Sequence, residues 1–176
     1  MASGSRPSRR TVGLATQLCR HLGYVDSDLE EKGDVLFVGR YEHALDEKGR
    51  VVLPSPFRAS VAERGYVTQL DGCIGLWSPE GFQAVAEKWK TEREASRISM
   101  RVFRKLINGV REVKLDSAGR ITIPRELLNE LGFGSQVVVA GLFDRVELWP
   151  AEGYVEEQDS DETNQELAEA IERLGF

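Results

Sequence analysis

Two short stretches pair a carboxylate with a guanidinium four residues on. The first is Asp46-Glu47-Lys48-Gly49-Arg50 and the second is Asp116-Ser117-Ala118-Gly119-Arg120. An aspartate that opens a tight turn can accept backbone N–H bonds from it. The glycine just before each arginine supplies a left-handed backbone conformation at no steric cost. The arginine then stands at the base of the next strand, within reach of the aspartate. A guanidinium oriented in this way is a planar fork, suited to guanine O6 and N7 or to a phosphate. Arg50 and Arg120 are therefore candidate nucleic-acid contacts, with Asp46 and Asp116 as their orienters and Gly49 and Gly119 as turn residues. Lys48, at the apex of the first turn, adds a cation where the second turn has Ala118. Arg40 joins the candidates on charge alone. A single Asp-x-x-Gly turn is ordinarily just a hairpin turn, and an exposed ion pair across it is worth under about 1 kcal/mol. Recurrence of all three residue types is what sets these two apart, although a duplicated scaffold also copies its scaffold residues.

The recurrence is part of a longer internal repeat. Leu45, Asp46, Gly49, Arg50 and Pro54 return as Leu115, Asp116, Gly119, Arg120 and Pro124, at an offset of 70. Gly39 and Gly109 keep that offset. A second block, Trp77-Ser78-Pro79-Glu80-Gly81-Phe82, matches Trp149-Pro150-Ala151-Glu152-Gly153-Tyr154 at an offset of 72. In the first copy residues 41–45 lead into the turn, and the aliphatic, β-branched residues 50–53 predict a strand that Pro54 ends. Ser55 reads as an N-cap with Pro56 at the first helical position, for a helix over 57–62 that Gly65 closes. Residues 66–70 and 74–77 predict strands around Asp71-Gly72. The second copy predicts a helix over 125–131 and strands over 136–140 and 145–149.

Helices are expected between and after the copies. Phe82, Val85, Ala86 and Trp89 form one apolar helical face, and Met100, Phe103, Leu106 and Ile107 form another. The polar residues 90–99 turn the chain between them. In the tail, Thr163 and Glu166 have capping-box spacing ahead of Leu167, Ile171 and Leu174. The expected organisation is an extension over 1–34, a first module over 37–82, a helical connector over 83–107, a second module over 108–154, and an acidic tail over 155–176. The extension matches neither copy. Its end, Glu30-Glu31-Lys32-Gly33-Asp34-Val35, uses residues with purine-rich codons, as a translated ribosome-binding site would. Either translation starts near Val35 or the extension is a disordered arm; N-terminal mass spectrometry decides between them.

Bulk properties narrow the function. Net charge is −6, yet residues 35–149 hold 17 basic and 15 acidic side chains, while residues 150–176 hold 1 and 9. The excess acid lies in the tail, so the body can present a basic face to phosphates. No apolar run reaches the length of a membrane span. Cys19 and Cys73 have no metal-ligand spacing and suit a reducing cytoplasm. His21 and His43 are not repeated, and nothing in the sequence places a histidine or asparagine to activate Cys73. Neither phosphate loop, dinucleotide fingerprint nor zinc pattern occurs. The chain therefore reads as a non-enzyme with no metal, cofactor or small-molecule ligand. The rival reading is a protein-interaction or adaptor module using the acidic tail and apolar helix faces, with Trp77, Trp89 and Trp149 as its hot spots, against the plainer reading of all three as core packing.

From Phe37-Val38-Gly39-Arg40-Tyr41 to Trp149 the chain resembles the MraZ family, on both Asp-x-x-x-Arg blocks with their following prolines and on the Glu147-Leu148-Trp149 ending. The resemblance implies an α+β fold in which two SpoVT-AbrB, or swapped-hairpin, half-units pair within one chain as a pseudo-two-fold barrel. It implies rings that bind G-rich direct repeats in double-stranded DNA and usually repress their own division and cell wall gene cluster, at the nucleoid in the cytoplasm. The DNA contacts it implies are Arg50 and Arg120, with Asp46 and Asp116 orienting them and Lys48 a weaker match.

Overall fold

A computed structural model describes residues 36–61, 64–158 and 161–175. The extension over 1–34 and the expected start near Val35 lie outside the described residues. Each copy supplies four strands. The first gives β1 (Phe37–Ala44), β2 (Arg50–Val52), β3 (Gly65–Gln69) and β4 (Ile74–Trp77); the second gives β5 (Arg111–Val113), β6 (Arg120–Thr122), β7 (Gln136–Phe143) and β8 (Arg145–Pro150). Six of them form one antiparallel sheet in the order β1-β7-β8-β4-β3-β5, and β2 pairs with β6 alone. Exchanging each strand for its repeat counterpart reads the same order backwards. This is a pseudo-two-fold axis, and it passes between β4 and β8 and between β2 and β6.

The pairing is swapped. The first strand of each copy lies not in its own copy but beside the third strand of the other, β1 on β7 and β5 on β3. One apolar cluster results, drawing Val51, Leu53, Phe57, Val67 and Leu76 from the first copy and Ile121, Ile123, Val139 and Leu148 from the second. Each copy's aliphatic alternation completes the other's core. This is the α+β, two-module architecture that the family resemblance implied.

Short helices follow each ribbon strand: α1 (Ser55–Arg58), continued by a 3-10 turn Ala59–Val61, and later α4 (Arg125–Glu130). Ser55 does not cap α1. The Phe57 N–H closes on the Pro54 carbonyl at 2.9 Å, which starts the turn one residue earlier and makes Pro54 the N-cap. Between the copies, α2 (Pro79–Glu94) and α3 (Met100–Gly109) are joined by residues 95–99. Ser78 caps α2 through the Gly81 N–H, and Ser99 caps α3 through the Val102 N–H. Strand β7 runs three residues past its expected end. Gly141 lets the β1 backbone approach there, since a Cβ would fall 2.5 Å from the Phe37 carbonyl carbon. After β8 the chain forms α5 (Ala151–Gln158) and α6 (Asp161–Leu174). Thr163 lies inside α6, two residues past its start, and not at its N-cap.

Candidate nucleic-acid interface

The two Asp-to-Arg turns have the same construction. In the first, the Gly49 N–H closes on the Asp46 carbonyl at 2.8 Å, and the Asp46 N–H donates to the Arg50 carbonyl at 3.0 Å. Asp46 Oδ1 accepts the backbone N–H groups of Lys48 and Arg50, each at 2.9 Å, and Oδ2 accepts Arg50 Nε at 2.7 Å. In the second, Asp116 Oδ1 accepts the N–H groups of Ala118 and Arg120 at 2.9 Å, and Oδ2 accepts Arg120 Nε at 2.8 Å. Gly49 and Gly119 sit at φ of 75° and 73°, where a side chain is strained. The backbone N–H of each arginine is the largest influence holding its aspartate below the usual carboxylate range; the Nε hydrogen bond adds to it and partial desolvation opposes it.

The ribbon then aims both guanidinium groups the same way. Val51 pairs with Ile121 at its centre and both are buried, so that face is the core face. Residues alternate along a strand, which puts Arg50, Val52, Arg120 and Thr122 on the opposite face. Arg50 faces Thr122 and Arg120 faces Val52, so the arginines are diagonal neighbours, with Cα atoms about 7–8 Å apart. Their side chains keep 30% and 32% of their exposure. Using Nε for the aspartate leaves the terminal nitrogens of Arg50 without a hydrogen bond among the described residues; in Arg120, Nη2 also lies 2.8 Å from Asp116 Oδ2.

The turns are interlocked across the pseudo-axis. The Leu53 N–H donates to the Gly119 carbonyl at 2.9 Å, and the Ile123 N–H donates to the Gly49 carbonyl at 2.8 Å. Each loop is therefore anchored by the other copy. Lys48 is exposed at its apex, beside Arg50. Arg40 stands apart, about 20 Å along β1 from Asp46 by strand rise. It makes an ion pair with Glu42 at 2.7 Å and lies over the Tyr154 ring at 5.1 Å.

Two further arginines reach the turns, and sequence reasoning missed both. Arg125, on α4 of the second copy, donates to the Glu47 carbonyl in the first turn. Arg58, on α1 of the first copy, donates from Nε to the Leu53 carbonyl at 2.7 Å, and its guanidinium packs over Gly119. By the repeat offset Arg58 corresponds to Leu128, whose Cδ1 fills the equivalent place over Gly49. Both arginines lie in the short helix that follows a repeated proline, Arg125 directly after Pro124 and Arg58 at the end of the helix that follows Pro54. That position was the available signal, but it says nothing of which turn they meet.

The remaining singled-out residues are structural. Trp77 and Cys73 are buried. Trp89 meets Phe82 edge to face, and Trp149 covers Gly72 and bonds Glu147 through Nε1. His43 is half-buried on β1 opposite Val137.

Two segments, residues 36–102 and 106–174, each match the family model described as MraZ protein, antitoxin-like. The chain is also similar to the transcriptional regulator MraZ of Clostridium acetobutylicum, with 30% identity over 142 residues, covering 80% of this chain and 100% of that protein.

Proposed function

The chain belongs to the MraZ family, and on that premise we propose that it is a DNA-binding regulator of transcription whose β2–β6 ribbon is the reading surface. The observation that carries this is the placement of Arg50 and Arg120 on one outward face, each held by its own aspartate. Along the ribbon, Gly49 and Gly119 are four strand steps apart, about 13 Å. The major groove of B-DNA is about 12 Å wide and admits a two-stranded ribbon. The two arginines lie inside that span, two strand steps apart, and a guanidinium already held by its aspartate meets base edges or phosphates at reduced ordering cost.

In its finer form the proposal is a repressor of its own division and cell wall gene cluster. It acts as a homo-oligomeric ring on promoter direct repeats, at the nucleoid in the cytoplasm. A ring presents many copies of one modest contact, so evenly spaced sites are bound by effective concentration. No helix among the described residues is long and apolar enough to cross a membrane.

The test is a gel shift on the gene's own upstream DNA. Arg50→Ala and Arg120→Ala should each weaken binding by about 1–3 kcal/mol per site, multiplied across the assembly, with folding little changed. Parental affinity in the double variant defeats the reading. One observation favours a second function, as a protein-interaction module: Leu167, Ile171 and Leu174 line an exposed stripe on α6. Salt separates the two, because arginine–phosphate binding weakens steeply with salt and an apolar interface does not.

A further inference from the structure

The pseudo-two-fold that equates the two turns is broken in their chemistry. The first turn carries Glu47 and Lys48 at its apex, where the second has Ser117 and Ala118. Arg125 joins the first turn by donating to the Glu47 carbonyl and is exposed. Its repeat counterpart is Ser55, so the second turn receives no equivalent cation. Arg58, the arginine that meets the second turn, is half-buried and uses Nε on the Leu53 carbonyl.

These differences sort by what each group recognises. Lysine is a compact point charge that suits a phosphate and discriminates poorly between bases. Arg125, held by one nitrogen to a backbone carbonyl, has no other hydrogen bond among the described residues and keeps its charge at the surface. A serine hydroxyl and an alanine methyl, by contrast, suit base edges and the thymine methyl. A small apex also lets the neighbouring Arg120 fork approach the groove floor.

We infer that the first turn is the phosphate anchor of each chain, with Arg125 as a third DNA-contacting cation beside Lys48 and Arg50. The second turn is the base reader, through Arg120 flanked by Ser117 and Ala118. This rests on the ribbon being the DNA-binding surface.

The experiment measures affinity of the full chain across a salt series, for an upstream duplex and for a shuffled duplex of equal length. Arg125→Gln removes the charge and keeps a polar, exposed side chain on α4. It should weaken both duplexes by the same factor and flatten the slope of log K against log salt by about 0.9, with Arg125→Lys restoring the slope. Lys48→Ala, a change at an exposed side chain, should flatten it likewise. Arg120→Ala should instead lower the upstream-to-shuffled ratio by roughly 5- to 100-fold. A parental slope in both Arg125→Gln and Lys48→Ala overturns the assignment, as does a changed ratio in either. If the parent binds neither duplex, the DNA reading itself fails. If it binds and only the anchor variants are silent, the ribbon reading stands and the division of labour falls.

Discussion

Each aspartate at the turns performs two tasks with one carboxylate. Oδ1 closes the loop backbone and Oδ2 aims a guanidinium. Both tasks require the charged form, which is why both groups titrate below the ordinary value of 3.8. The linkage has a definite sign. A carboxyl with a depressed folded-state pKa adds stability that is fully present above its unfolded value and is lost as pH falls through its folded value. Asp46→Asn with Asp116→Asn should therefore be less stable than the parent at neutral pH. The gap should narrow below about pH 3.8 and close once the parent carboxyls are protonated. Urea midpoints for both proteins from pH 7 downward measure this; a gap that stays constant with pH contradicts it. The candidate residues at the turns were legible in the sequence because the spacing is local and copied twice. Arg58 and Arg125 were not, because each acts on a turn that belongs to the other copy.

At the scale of the loop, the two glycines do the same job in different surroundings. A Cβ on Gly49 would fall 2.9 Å from the Ile123 carbonyl oxygen and 3.0 Å from Leu128 Cδ1. A Cβ on Gly119 would fall 2.5 Å from Arg58 Cζ. The second clash is numerically worse but physically milder. A guanidinium can swing aside, giving up its bond to the Leu53 carbonyl, whereas the Ile123 carbonyl is backbone and accepts no such displacement. Both substitutions also force a side chain into the left-handed region, at about 1–2 kcal/mol. Gly49→Ala should thus destabilise by about 2–3 kcal/mol and Gly119→Ala by about 1–2 kcal/mol. Thermal unfolding of the two single variants checks the order, and an equal or inverted ranking would show that Arg58 is held more firmly than its geometry suggests. Elements with strong local patterns matched expectation in their apolar faces, as with α2 and α3, but α2 runs on to Glu94, into the polar stretch over 90–99 expected to turn the chain. The other exceptions had nonlocal causes. β7 extends to Phe143 because β1 from the other copy pairs along its full length. Helix α5 carries Gly153 in its interior, and its sequence shows no helical pattern beyond the echo of an earlier motif.

The swap decides what the whole molecule can survive. Hydrophobic alternation shows which face of a strand is buried but not which strand lies beside it, so the crossing of β1 onto β7 and of β5 onto β3 had to come from the fold the repeat resembles. Removing one copy makes the consequence concrete. The first half alone retains only the β3–β4 pairing, since β1, β2 and β4 have lost β7, β6 and β8. The second half alone retains only β7–β8. A lone two-stranded hairpin is marginal in water, and its half of the shared core would be exposed. The covalent link between the halves, by contrast, runs through α2, residues 95–99 and α3. A break at 95–99 severs no strand pairing and costs only the entropy of bringing two chains together. A protein split between residues 97 and 98, with both pieces co-expressed, should therefore purify as a complex with parental β-sheet circular dichroism. Either piece alone should lack a cooperative unfolding transition, or show one only at a midpoint that rises with concentration, through self-pairing in place of the missing copy. A concentration-independent transition in an isolated half would mean that it folds as a module on its own, and the shared core would not be what holds the two Asp-to-Arg turns on one face.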